Sequence, residues 1–308
     1  MKAFCFKYLL NFHSPSGTSR GILKQKESWF IVIVQGDKFG IGECSLIKGL
    51  SPDPEESYEQ TLKKVCENIS DGYETLSLGL NYFPSILFGL ETAFRSFESF
   101  NPMVLFPSSF TKNKDSIPIN GLIWMGQKSF MISQIKEKIN AGFDCIKIKI
   151  GSLDFTTELE LIKNIRKEYS SKDLEIRVDA NCAFSFSKAL EKLKKLSDFS
   201  IHSIEQPIPT RQWEKMAFLC EKSPIAIALD EELINTGKDE KEKMLKTINP
   251  AYIILKPSLV GGLKKSEDWI NIAANNNVKW WATSALESNI GLNAISQWVY
   301  GKSTNMKQ

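Results

Sequence analysis

The sequence predicts an α/β protein: a (β/α)8-type barrel with an N-terminal α+β capping domain. Two observations predict it. Beyond residue 117, short apolar runs alternate with amphipathic stretches of helical length, the pattern of a parallel sheet built from βαβ units. In addition, Lys149, Asp179, Glu205, Asp230 and Lys256 stand at or beside the ends of five such runs, at intervals of 30, 26, 25 and 26 residues. A barrel of this kind takes roughly 30 residues per strand–helix unit and carries its chemistry at the C-terminal ends of its strands.

Residues 1–105 are expected to form the capping domain. The run 29–34 (WFIVIV), a turn at Gly36-Asp37 and the run 39–43 predict an antiparallel hairpin. Helices are predicted near 55–69 and 85–98, the second with Phe88, Ala93 and Phe94 facing inward. The stretch 101–115, with Pro102 and Pro107, reads as a linker. Residues 106–308 are expected to form the barrel. Its strands are predicted at 117–122, 145–150, 175–179, 201–204, 226–229, 252–255 and 278–282. Helices are predicted near 128–140, 156–169, 186–196, 211–222, 233–247, 263–275 and 290–300. After them comes only GKSTNMKQ, polar and too short for a buried strand. The expected barrel therefore lacks its last strand, with two unpaired edges.

Composition narrows the class. With 308 residues, 42% hydrophobic and 24% charged, the chain has the make-up of an ordinary globular protein. Its 39 basic and 36 acidic residues are interspersed, so no nucleic-acid surface is expected, and the Lys-rich stretch 238–246 reads as a solvated helix face. Six separated cysteines include no Cys-x-x-Cys pair, which argues for reduced thiols rather than zinc or a disulfide framework. No run reaches the ~18 apolar residues of a membrane span. A cytoplasmic enzyme of a small molecule is the expectation, and the oligomeric state is left open.

The charged residues carry the chemistry. Side chains alternate across a strand, so Lys147 and Lys149 in IKIKI face one way and the isoleucines the other. Two ammonium groups inside a barrel are expected to have lowered pKa values, toward the range of a working base. Asp179, Glu205 and Asp230 end three successive strands and can converge. Each alone is explained as a helix cap or solvated acid; together, with no histidine or cysteine among them, they favour Mg2+ as a hard cation held by oxygen. A divalent ion flanked by lysines suits removal of a proton next to a carboxylate, the cation stabilising the charge that develops.

The motifs Lys147-x-Lys149, Asp179-x-Asn181, Glu205-Gln206-Pro207, Asp230-Glu231 and Leu255-Lys256-Pro257 resemble the signature of the muconate-lactonizing branch of the enolase superfamily. Within it the chain most resembles the o-succinylbenzoate synthases. The likeness extends through Ser19-Arg20-Gly21, Gly42-Glu43-Cys44-Ser45, Gly49-Leu50-Ser51-Pro52, the run 120–124 (NGLIW) and the run 283–291 (TSALESNIG). It implies an enolase-like (β/α)7β barrel and a Mg2+-dependent loss of water that yields 2-succinylbenzoate, a step of menaquinone biosynthesis. It assigns Lys149 as base and then acid, Lys256 to the opposite face, and Lys147 to the carboxylate end. Asp179, Glu205 and Asp230 would hold the metal. Ser19 and Arg20, on a mobile loop over 13–26, together with Asn181, Glu231 and Ser284, would contact substrate or the lysine network. Two rivals remain: an N-succinylamino acid racemase or dipeptide epimerase using Lys149 and Lys256 as paired bases, and a catalytically inactive binding protein on the same scaffold.

Overall fold

The computed structural model describes residues 1–18, 21–302 and 307–308. Strands β1 (Lys2–Thr18), β2 (Gly21–Gln35) and β3 (Lys38–Ser45) form an antiparallel sheet in that order. Trp29, Ile31 and Ile33 alternate onto one face of β2, where they meet helices α1 (Glu55–Glu67) and α3 (Pro84–Glu98); a short α2 (Gly72–Ser77) lies between. Helix α3 crosses β3 so closely that a Cβ on Gly42 would overlap the carbonyl oxygen of Gly89. Asp53 fixes the start of that helix by accepting the Ser85 N–H (3.1 Å) and hydroxyl (2.7 Å).

Two expectations fail here. Strand β1 is absent from the sequence prediction, because its alternation is interrupted by exposed Phe4, Phe6 and Tyr8 on the outer face of the sheet. The 13–26 segment, expected as a mobile loop, belongs in its described residues to β1 and β2, whose ladder shifts register between Asn11 and Ser16 and ends with Thr18 opposite Gly21. Ser19 and Arg20 lie outside the described residues.

The second sheet is parallel and seven-stranded: β4 (Gly121–Ile123), β5 (Cys145–Lys149), β6 (Glu175–Asp179), β7 (Ser203–Glu205), β8 (Ala226–Leu229), β9 (Tyr252–Leu255) and β10 (Lys279–Ala282), neighbours in that order. Helices α4 (Lys128–Asn140), α5 (Phe155–Glu168), α6 (Phe186–Ser197), α7 (Trp213–Lys222), α8 (Lys238–Ile248), α9 (Pro257–Val260), α10 (Gly262–Asn275) and α11 (Asn289–Tyr300) alternate with the strands. Ile146, Ile148, Ile176, Val178, Ile204 and Ile227 point outward into the helix layer. The helix α8 face is exposed as expected, except that Lys241 is buried with its ammonium 4.8 Å over the Trp269 ring.

Among the described residues β10 and β4 do not pair, so the wall has a seam. Gln308 lies in it. Its backbone N–H donates to the Pro118 carbonyl, its carbonyl accepts the Asn120 N–H (both 2.9 Å), and its side-chain oxygen accepts the Ala282 N–H (2.7 Å). One residue thus bonds to the segments on both sides, meeting backbone groups that an eighth strand would otherwise satisfy. Lower in the barrel Arg177 is buried, 4.5 Å over the Trp281 ring; it donates to Glu175 (2.8 Å) and to the Lys307 carbonyl (2.8 Å).

Candidate active site

Strand register assembles the charged cluster. Lys149 pairs with Asp179, and Asp179 with Glu205, so three charged side chains stand in one row across β5, β6 and β7. Ala228 continues the row, and Asp230, two residues on, keeps its orientation at the end of β8. Lys256 follows β9 with the same parity. All six of Lys147, Lys149, Asp179, Glu205, Asp230 and Lys256 therefore meet inside the barrel at the C-terminal ends of the strands.

The contacts are ion pairs. Lys147 donates to Glu205 Oε2 (2.9 Å) and lies 3.7 Å from Asp179 Oδ2. Lys149 donates to Asp179 Oδ2 (2.9 Å) and Asn181 Oδ1 (2.7 Å). Lys256 donates to Asp230 Oδ2 and lies 3.9 Å from Glu205 Oε1. Asn181 and Cys182 adopt left-handed backbone (φ 41° and 66°), tolerated by asparagine, and this turn brings the Asn181 amide back beside Lys149. Its Nδ2 then donates to Glu231 Oε1 (3.0 Å), so Asn181 links the lysine to a second carboxylate.

Electrostatics depart from the sequence expectation. Burial works to lower the Lys147 ammonium, but Glu205 and Asp179 outweigh it and raise it. Lys256 is likewise raised, since Asp230 and Glu205 overcome its desolvation. For Lys147 the predicted lowering is thus reversed, because Glu205 and Asp179 act on its ammonium more strongly than the other lysines do. Asp179 is buried, which favours its neutral form, yet Lys149, Lys147 and Lys256 together hold it well below the usual carboxylate range. Glu205 differs: burial, then Asp179 beside it, pushes it up to about 8.

A cavity of about 610 Å3 opens on this cluster. Lys147, Lys149, Asp179, Asn181, Glu231 and Lys256 line its inner end. Leu23, Ile47 and Leu50 reach it from the antiparallel sheet and the loop after it, and Trp124 and Ser284 from the barrel. Glu205 and Asp230 do not line it; they are buried behind Lys147 and Lys256. Sequence reasoning assigned no role to Ile47, Leu50 and Trp124, although all fall in or beside motifs it singled out. It also missed Arg177, for which the signal was available: the residue precedes Asp179 by two and so shares its inward face.

Three hard-oxygen donors suit a divalent cation. Glu205 Oε1 is buried and has no hydrogen-bond partner, which is where a cation would be stabilised. The side chains are nonetheless drawn to lysines, and among the described residues no group of three or more His, Cys, Asp or Glu stands in metal-holding geometry. The donor set fits Mg2+; the carboxylates would have to turn from their ammonium partners to bind it.

Comparison with known proteins places this geometry. The model for the enolase C-terminal domain-like family matches residues 131–305, more than half of the chain. The chain belongs to the enolase superfamily. Within it, the chain is 44% identical to the o-succinylbenzoate synthase of Desulfotalea psychrophila over 94% of its own length and 87% of that protein's. The crystal structure of MenC from the same organism superposes with a TM-score of 0.88 at 40% identity, covering 100% of this chain and 92% of that one. A Mg-complexed o-succinylbenzoate synthase of Thermosynechococcus elongatus, at 18% identity and TM-score 0.81, covering 100% and 92%, shares the fold. The chain is thus an enzyme of the o-succinylbenzoate synthase family, which sets aside the reading as an inactive binding protein. No helix among the described residues is long and apolar enough to cross a membrane.

Proposed function

We propose that this chain removes water from 2-succinyl-6-hydroxy-2,4-cyclohexadiene-1-carboxylate to give 2-succinylbenzoate, with Lys149 as the proton-transfer group. The observation that carries the reading is the lysine–carboxylate row at the inner end of one cavity, in a chain so similar to a named synthase. Lys149 takes the proton from the ring carbon bearing the carboxylate, and the C–O bond to the neighbouring hydroxyl then breaks. The same ammonium returns the proton to the departing oxygen, so water leaves from the face on which the proton was removed. The electron pair freed from the C–H bond becomes part of the aromatic ring. Lys256 offsets the negative charge from the other side of the Asp179–Glu205–Asp230 row, and Lys147 supports the carboxylate end. Asn181 and Glu231 hold Lys149 in place. Mg2+ held by Asp179, Glu205 and Asp230 would supply a Lewis-acid counter-charge for the substrate carboxylate. Ser284, which lines the cavity, would meet the substrate, and we assign Ser19 and Arg20 to its succinyl side by resemblance. Six free thiols suit the reducing cytoplasm.

Lysines on both sides of the row would also serve the two-base racemisation of an N-succinylamino acid or dipeptide. The test is to offer the purified protein each substrate class in D2O with Mg2+. Aromatic product from the cyclohexadiene supports the synthase reading. Exchange of the α-proton of N-succinylamino acids, without aromatic product from the cyclohexadiene, would replace it.

A further inference from the structure

Apart from the lysine–carboxylate row, a second set of buried charges joins the antiparallel sheet to the cavity wall. Lys26, on β2, is 5% exposed, and its ammonium donates to Ser28 Oγ (2.9 Å) and Ser45 Oγ (2.7 Å). Ser45 in turn donates to the carbonyl of Ala285, a residue of the cavity wall (3.2 Å). Glu43, on β3, is fully buried, 3.9 Å from Lys26. It accepts the Ser28 hydroxyl (2.7 Å), the Ser288 hydroxyl (2.6 Å) and the N–H groups of Ser288 and Gly291 at the start of α11. A Cβ at Gly291 would come within 2.9 Å of Glu43 Oε2, so the glycine is what permits the approach. Glu287 completes the set by accepting the Ala285 N–H (2.6 Å) and the Ser258 hydroxyl (2.5 Å), two residues past Lys256.

These groups span the wall of the cavity. The segment 283–286, which lines it, is held at Ala285 from both sides, by Ser45 and by Glu287. Lys26 is the cation facing the two acids: Glu43 on β3 and Glu287 ahead of α11, with neutral Ser28 and Ser45 as its remaining partners. A buried network of this kind rigidifies what it bridges when satisfied and disrupts it when one charge is removed.

We propose that Lys26 is a positioning residue of the reaction: through Ser45 and the Glu43–Glu287 pair it fixes the 283–286 wall against which the substrate seats. It acts on the site through other residues and touches no reacting atom. The inference rests on the lysine–carboxylate cluster being the reacting site. Burial already raises Glu287, with Lys26 working against that rise. With Lys26 removed, Glu287 keeps the Ser258 hydroxyl and the Ala285 N–H but loses its cation and retains the like charge of Glu43. Its ionisation as pH rises would then push the wall out of place.

The test compares steady-state kinetics of Lys26→Met, Lys26→Met with Glu287→Gln, and Ser45→Ala across neutral pH, beside Lys149→Ala from the same expression. Lys26→Met is expected to raise KM about tenfold or more, increasingly as pH rises, with a smaller change in kcat. The added Glu287→Gln is expected to abolish that pH dependence, which a general loss of stability would not do. Ser45→Ala, which strands no charge and decides the matter if Lys26→Met does not fold, is expected to raise KM about fivefold with kcat nearly unchanged. Unchanged KM in Ser45→Ala and a flat pH response in Lys26→Met, beside an inactive Lys149→Ala, would overturn the inference alone. Retained turnover in Lys149→Ala would overturn the reading of the site and the inference with it.

Discussion

Replacing Glu91 with glutamine should make the protein more stable, and more so as pH rises. Glu91 lies on α3 and reaches helix α10, where its Oε2 accepts the N–H of Leu263 (2.6 Å) and its Oε1 that of Lys264 (3.1 Å) at the start of the helix. Burial is the largest influence on this carboxyl and takes it from 4.5 to about 7; those N–H groups and Arg95 favour the charged form but are outweighed. A folded value above the unfolded one means the stabilising contribution is complete below about pH 4.5 and is lost as pH rises through about 7. Between about pH 5 and about pH 8 the loss amounts to roughly 2.5 kcal/mol, an order-of-magnitude figure from the gap between the two values. A glutamine with its oxygen at the Oε2 position keeps the Leu263 N–H (2.6 Å) and the longer Lys264 N–H contact (3.3 Å), and has no proton to lose. Urea unfolding of the two proteins across that pH range should therefore show the variant gaining on the wild type by about that amount. Parallel stability curves, or a variant that loses ground at high pH, would refute the assignment of burial as the dominant influence.

Other outcomes follow from the same structure. Lys149→Ala should lower kcat by at least about 10²–10⁴-fold while circular dichroism stays unchanged, because one group performs both proton transfers. Asp230→Asn should weaken Mg2+ binding in isothermal titration and leave activity recoverable at high Mg2+; failure of added metal to restore turnover would remove it from the ligand set. Gly42→Ala should cost about 1–3 kcal/mol in thermal unfolding, since the added methyl overlaps the Gly89 carbonyl and neither backbone can yield.

Much of the barrel was legible because burial on both faces of its strands, or on the outer face alone, leaves a plain pattern. The IKIKI run displays its two faces residue by residue, and a charged residue at or beside the end of an apolar run marks the catalytic rim of a barrel. Helices such as 128–140 could be bounded from amphipathic spacing alone. Strand β1 could not, since Phe4, Phe6 and Tyr8 place aromatic side chains on a face open to solvent, and alternation then signals nothing about burial. The raised lysines were also out of reach: the sign depends on which carboxylates stand within 3–4 Å of each ammonium, and spacing along the chain does not fix that. Nor could a polar tail announce that Gln308 bonds to segments on both sides of the seam. Of the Lys26–Glu43–Glu287 set, Glu43 and Glu287 fell in two separate motifs and Lys26 in none, and their meeting depends on how the antiparallel sheet packs against the segment leading into α11.

The central claim is that Lys149 carries out the elimination within the lysine–carboxylate row. The most direct measurement is aromatic product formation from the cyclohexadiene carboxylate by wild type, Lys149→Ala and Lys256→Ala, each with Mg2+ and again with EDTA. The account predicts turnover in the wild type that EDTA abolishes, and none above background in folded Lys149→Ala. Turnover in Lys149→Ala comparable to the wild type, or a folded, Mg2+-binding wild type that forms no aromatic product, would contradict it.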